Sequence, residues 1–202
     1  MLKGKKVLLG ITASIAAYKT ANLVRLFKKE GALVRVIQTE ASLAFVTPLT
    51  LATLAETEVL SKMIDDESEQ WNSHVELGLW ADFMLIAPTT AKTMAKMVSG
   101  LCDNLLLATY LSARCPVYYA PAMDLDMYQH PSTKENIDKL HAFGNRLIPA
   151  AFGELASGLV GEGRMAEPEE IVAFIIDDLN KQLSLKGKRA LVTSGPTHEP
   201  ID

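Results

Sequence analysis

Short apolar runs alternate with longer segments of helical period along most of this chain. Val7, Leu8, Leu9 and Ile11 form the first run, so Lys5 to Ile11 is predicted as a buried strand. From about Ser14 to Glu30, Ile15, Leu23, Leu26 and Phe27 give a helix its apolar face, and Lys28, Lys29 and Gly31 close it. Val34 to Ile37 reads as a second strand. A strand, a helix and a strand in that order predict parallel pairing through a right-handed crossover.

The alternation continues. Short helices are expected near Ser42 to Phe45 and, behind Pro48, over Leu49 to Glu56. Asp65 to Asn72 is polar and predicts a loop, with Trp71 inside it. Asp82 to Ala87 is a third strand, followed by a helix to about Val98. Asn104 is placed to cap a helix from Leu105 to Ala113, and Pro116 to Tyr119 is a fourth strand. Ser132 with Glu135 three residues on has the form of a capping box, for a helix ending at Gly144. Arg146 to Ile148 is a fifth strand, and Glu169 to Leu183 a last helix. Gly153 to Met165 carries Gly153, Gly158, Gly161 and Gly163; this is too much glycine for a regular element and predicts a flexible flap that could close over a ligand, with a disordered loop as the plain alternative. After the basic break Leu185 to Arg189, a new strand is expected over Ala190 to Thr193. The fold class is α/β, a parallel sheet with helices on both faces.

Composition narrows the picture. The 202 residues are 49% hydrophobic and 22% charged, enough for a domain with a core. A net charge of −4 leaves no basic footprint for nucleic acid. No run reaches the roughly 18 apolar residues of a membrane span. Thr12, Ser14 and Lys19 interrupt the first apolar run too early for a signal peptide, so a cytoplasmic location is expected. Cys102 and Cys115 lack metal-site spacing; they are expected to be buried free thiols, and no metal is expected.

Open α/β sheets bind ligands beyond the carboxyl ends of their strands, so the turns there are the candidate site. Gly10 to Ala17 is not a dinucleotide fingerprint, but it is small, hydroxylated and opens a helix. It can hold a phosphate, or Ser14 can simply cap the helix. Thr39 to Ser42 and Pro88 to Thr93 are further polar strand ends. Ala120 to Tyr128 carries Asp124, Asp126, Met123 and Met127; it is either a ligand loop or a helix start packed on the core. His74, at a predicted helix N-terminus, suits a base or a neutral hydrogen-bonding group, with capping as the plain alternative.

Taken together, these turns resemble the homo-oligomeric flavin-containing cysteine decarboxylases, and most nearly the branch acting on phosphopantothenoylcysteine. The resemblance spans about residues 4–182, and Gly187 to Thr197 with Glu199 to Asp202 resembles the first strand and nucleotide loop of a fused ligase. It implies an FMN-binding cysteine decarboxylase domain over 1–183, with a linker and a truncated ligase start over 184–202. The implied fold is flavodoxin-like, with FMN held between neighbouring subunits of a trimer that can assemble into a dodecamer. The implied reaction converts 4′-phosphopantothenoylcysteine to 4′-phosphopantetheine by way of a thioaldehyde and an enethiol.

Carried over by residue, Ala13, Ser14 and Ile15 match the phosphate turn. Thr39, Thr90, Ala91, Lys92, Thr93 and Ala122 match flavin contacts. His74 matches the histidine needed for oxidation, while Met127 and Arg164 match the substrate side. Two positions depart from the pattern. Asp124 stands where an Asn binds the substrate carboxylate, and Ser157 stands where a Cys donates a proton in the reductive half. The resemblance also leaves two other outcomes open: an oxidative decarboxylase that stops at the enethiol, and a non-catalytic FMN-binding subunit.

Overall fold

Parallel strands build the central sheet of the computed structural model, which describes residues 2–64, 69–181 and 191. In chain order the elements are β1 (Lys6–Ile11), a 3-10 turn (Ile15–Lys19), α1 (Thr20–Lys29), β2 (Leu33–Gln38), a second 3-10 turn (Glu40–Ala44), α2 (Pro48–Ala55), β3 (Val59–Leu60), α3 (His74–Trp80) and β4 (Phe83–Thr89). There follow α4 (Ala91–Ser99), α5 (Leu105–Ser112), β5 (Val117–Pro121), α6 (Leu125–Gln129), α7 (Pro131–Ala142), β6 (Arg146–Leu147), the hairpin β7 (Ala151–Glu154) and β8 (Val160–Arg164), and α8 (Pro168–Lys181). The sheet order is β3-β2-β1-β4-β5-β6, so the direction of winding reverses between β1 and β4.

The strand period of two sorts side chains into two cores. Val7, Leu9 and Ile11 of β1, with Phe83, Leu85 and Ala87 of β4, pack under α1, α2 and α8. Leu8 of β1, with Met84 and Ile86 of β4, packs under α3, α4, α5 and α7. Both faces are covered, which is why these strands read as continuous apolar runs. Gly10 lets α5 lie against β1, because a Cβ there would meet Leu106 Cδ1 at 2.3 Å.

One polar cluster ties the far edge of the sheet to α8. The Tyr118 hydroxyl donates to Asp178 Oδ2 at 2.7 Å and accepts from Arg146 Nη1 at 2.8 Å, and Arg146 also pairs with Asp178. Burial, and then the hydrogen bond to Asp178, push the Tyr118 phenol well above its usual range. A phenol whose pKa is raised by folding stabilises the fold below the unfolded value and loses that contribution as pH rises through it. Stability is therefore expected to fall above about pH 10. Tyr118→Phe is expected to cost about 1 kcal/mol at neutral pH and to flatten that alkaline loss. Urea unfolding across the alkaline range checks both; an unchanged alkaline slope would remove Tyr118 from the account.

Several expectations need correction. The helix expected from Ser14 begins as a 3-10 turn, and Ile15 is 62% exposed rather than part of its apolar face. Gly153 to Met165 holds the β7–β8 hairpin, because Gly153, Gly161 and Gly163 sit where the strands meet neighbouring backbone and side chains. His130 caps α7 in place of Ser132: its side chain accepts from Ser132 N and Pro131 takes the first helical position. Cys102 is exposed, while Cys115 is half-buried and burial raises its thiol pKa. Expectations for 184–202, including the strand over Ala190 to Thr193, fall outside the described residues except at Leu191. Among the described residues no helix is long and apolar enough to cross a membrane.

Candidate active site

The crevice opens where the winding reverses, beyond the carboxyl ends of β1 and β4. Thr12, almost wholly buried, ties the two strand ends together: its Oγ1 donates to Pro88 O at 2.7 Å and accepts from Thr90 N at 3.2 Å. The Ser14 hydroxyl accepts from Ala16 N at 3.3 Å, and Thr90 Oγ1 accepts from Thr93 N at 3.3 Å to cap α4. Thr39 donates through both its amide and its hydroxyl to Ile11 O, fixing the end of β2 beside that of β1. Asn104 caps α5 by accepting from Leu107 N at 3.0 Å. The Lys96 ammonium beside Asp103 holds that carboxyl below its usual range.

These turns wall a cavity of about 840 Å³. Ala13, Ser14, Thr39, Thr90, Ala91, Lys92, Thr93 and Ala122 all line it, as does Met127. Ser14, Ala122 and Met123 also border a second cavity of about 520 Å³, which contains Asp124 and Arg164. Ile15 lines this smaller cavity and not the larger one.

The hairpin forms the far wall of the smaller cavity, through Glu154, Leu155, Gly163 and Arg164. Met123 N donates to Gly163 O at 3.0 Å, and a Cβ on Gly163 would lie 2.4 Å from Met123 O. The hairpin is thus seated backbone against backbone on the Ala122–Asp124 loop. At its base Lys19, only 8% exposed, donates to Met165 O at 3.1 Å and to Glu167 Oε1 at 2.7 Å, and Arg164 reaches the same carboxylate oxygen at 3.2 Å.

Two expected site residues lie apart. His74 opens α3 behind Ser73, whose hydroxyl accepts from Glu76 N at 3.2 Å, and it borders neither cavity. Its Nδ1 is buried without a hydrogen-bond partner among the described residues, and its ring meets Trp71 edge-on at 6.1 Å. Ser157 is exposed in the hairpin turn and also borders neither cavity. Sequence reasoning missed Thr12, Lys19 and the Ser61–Ile64 segment of the larger wall. For Lys19 a signal was present: a lone Lys among Ala17, Tyr18 and Thr20 at a helix start.

A family model described as Flavoprotein matches residues 1–180. The chain belongs to the Flavoprotein family. One relative, a cysteine/cysteine sulfinic acid decarboxylase from an unknown prokaryotic organism, is 55% identical over 161 residues, covering 78% of this chain and 45% of that protein. The coenzyme A biosynthesis bifunctional protein CoaBC of Haemophilus influenzae is 41% identical over 201 residues, covering 100% of this chain and 50% of that protein. The chain thus spans about half the length of the curated relatives it matches. Among solved structures, a cysteine-to-serine mutant of PPC decarboxylase complexed with pantothenoylaminoethenethiol matches with TM-score 0.78 at 37% identity, covering 88% of this Flavoprotein-family chain and 99% of that one.

Proposed function

We propose that this chain is an FMN-dependent decarboxylase acting on the cysteine moiety of 4′-phosphopantothenoylcysteine. Its product is 4′-phosphopantetheine, its pathway coenzyme A biosynthesis, and its working form a cytoplasmic homo-oligomer, a trimer or a dodecamer. The domain occupies 1–183, and 184–202 begins a ligase part. One observation carries the reading: hydroxyl-bearing turns at the switch point wall a cavity that opens, past Ser14, Ala122 and Met123, into a second cavity holding Asp124 and Arg164.

The residues fit FMN. The larger cavity lies within the roughly 300–1,000 Å³ of cofactor sites. The Ala13–Ser14 turn and the start of α4 offer backbone amides and hydroxyls to a phosphate. Ala122, Met123 and Leu105 offer apolar wall to a ring system. Bound FMN supplies the two-electron oxidation that makes the cysteine side chain an electron sink for CO₂ loss. The protein's part is to position the substrate and move protons. Arg164 places a cation in the substrate cavity, Met123 separates the two cavities, and His74 takes up the proton released on oxidation. His74 reaches a cavity only if another copy of the chain brings it there. Exposed apolar surface supports such packing: Ile15 and Tyr18 border the smaller cavity, Phe152 lies on β7, and Trp71, Val75 and Leu79 are near His74 in the chain.

Product mass tests the reading. Purified protein with 4′-phosphopantothenoylcysteine under anaerobic conditions is expected to give a product lighter by about 44 Da with the flavin finally oxidised. A loss of about 46 Da with bleached flavin would mean that the reaction stops at the enethiol. Bound flavin with no mass change would overturn the reading. Because a Ser hydroxyl is far less acidic than a thiol, Ser157→Cys is expected to speed the reductive stage roughly 10-fold in stopped flow. An unchanged rate would mean that another donor serves.

A second reading has its own support. The relative at 55% identity is named for cysteine and cysteine sulfinic acid, and this chain has the carboxylate of Asp124 where an amide is expected. On that reading free cysteine is the substrate, and the product has lost the same CO₂.

A further inference from the structure

Asp124 lines the smaller cavity half-buried, and among the described residues it forms no ion pair. Its Oδ1 accepts from the Leu125 amide at 2.7 Å. That contact occupies the Leu125 amide, so an arriving substrate carboxylate meets the Asp124 carboxylate before any N–H of the α6 start. Two carboxylates in contact cannot both stay ionised without cost, whereas an ammonium there is stabilised. The rest of the lining agrees: Lys19 and Arg164 line the cavity together with Asp124 and Glu154, two cations and two carboxylates. A balanced lining suits a zwitterion. It does not suit a ligand that is anionic throughout, and both cations are already engaged by Glu167.

We infer that Asp124 determines specificity by reading the charge on the substrate's α-nitrogen, favouring a cysteine with a free ammonium over one whose nitrogen is acylated. This rests on the second reading above, in which free cysteine is the substrate of the decarboxylase, and deepens it. The α-ammonium and α-carboxylate share one carbon. With the ammonium at Asp124, the carboxylate is left to the cations of the same lining, Lys19 and Arg164, which it shares with Glu167. Acylation removes the cation and leaves only the carboxylate to meet Asp124. Decarboxylation of 4′-phosphopantothenoylcysteine then proceeds at a disadvantage that an amide at this position relieves.

The test is a binding comparison on the flavin-loaded protein, titrated calorimetrically with S-methylcysteine and with N-acetyl-S-methylcysteine, neither of which has a free thiol to oxidise. The native protein is expected to bind the free amino acid at least about 10-fold more tightly, and Asp124→Asn to erase or reverse that order. Asp124→Ser keeps a capping oxygen for Leu125 while removing the charge, so it must behave as Asp124→Asn does if charge is the cause. Equal binding of the two ligands, no binding of either by the native protein, or an equal shift of both in the variants overturns the inference. Flavin bleaching by free cysteine and by N-pantothenoylcysteine is measured in parallel. If the binding preference holds but no cysteine compound bleaches the flavin, the decarboxylase reading fails while the role of Asp124 stands. If both compounds bleach it with equal efficiency in native protein and variant, the role of Asp124 fails while the decarboxylase reading stands.

Discussion

His74→Asn is expected to copurify with FMN at the native ratio and to lose anaerobic flavin bleaching by substrate, slowed roughly 10²- to 10⁴-fold, the range for a lost acid–base group. FMN retention follows from geometry, since His74 borders neither cavity of its own chain. The loss follows from the buried Nδ1, which has no partner among the described residues and leaves the other ring nitrogen to meet whatever packs against α3. Asn keeps a hydrogen-bonding amide and cannot exchange a proton near neutral pH, so the substitution separates holding the substrate from taking its proton. Absorbance of the flavin band after mixing with substrate, set against FMN content, is the measurement. Bleaching at the native rate would remove His74 from the chemistry.

The sheet was largely legible because burial on both faces writes itself as apolar runs. Val7 to Ile11, Val34 to Ile37 and Phe83 to Ala87 are strands in the structure as in the pattern. The walls of the larger cavity were legible for a related reason: strand ends in this architecture carry the ligand turns, and Ser14, Thr39, Thr90 and Thr93 line one cavity. The rest depends on tertiary approach, which pattern does not encode. β3 is a two-residue edge strand, too short for a period. The β7–β8 hairpin hides behind its glycines, since Gly161 and Gly163 are set by closeness to Leu125 and Met123 and not by strand propensity. Ile15 has helical spacing with Leu23 and Phe27, but the 3-10 turn rotates it out to the smaller cavity. Ser14 caps its turn, as one of its two readings had it, and it also borders both cavities. His74 was recognisable as a residue type but not as to place: the structure sets it at the start of α3, away from both cavities, and tertiary packing of that kind is not written in the pattern.

Gly163→Ala is expected to unseat the hairpin and cost about 100-fold in kcat/KM while FMN stays bound. Gly163 has φ near +150° and its added Cβ would lie 2.4 Å from Met123 O, so backbone on one side or the other must move. Strain of this kind costs about 1–3 kcal/mol, and displacing a positioning wall by about 1 Å can cost 10²-fold in rate. The melting temperature should fall by several degrees, at roughly 2–4 °C per kcal/mol for a chain of this size. A native KM would show that the hairpin does not shape the substrate cavity. The same variant tests where His74 acts. Coexpressed with His74→Asn under separate tags, it supplies intact His74 side chains while the partner variant supplies intact cavities. If each site joins the cavity of one copy to the His74 of the next around a ring, about a quarter of the sites in a random mixture are whole, and activity should return to about that fraction of native from two nearly inactive parents. Activity no higher than the average of the parents would mean that His74 serves its own chain or none.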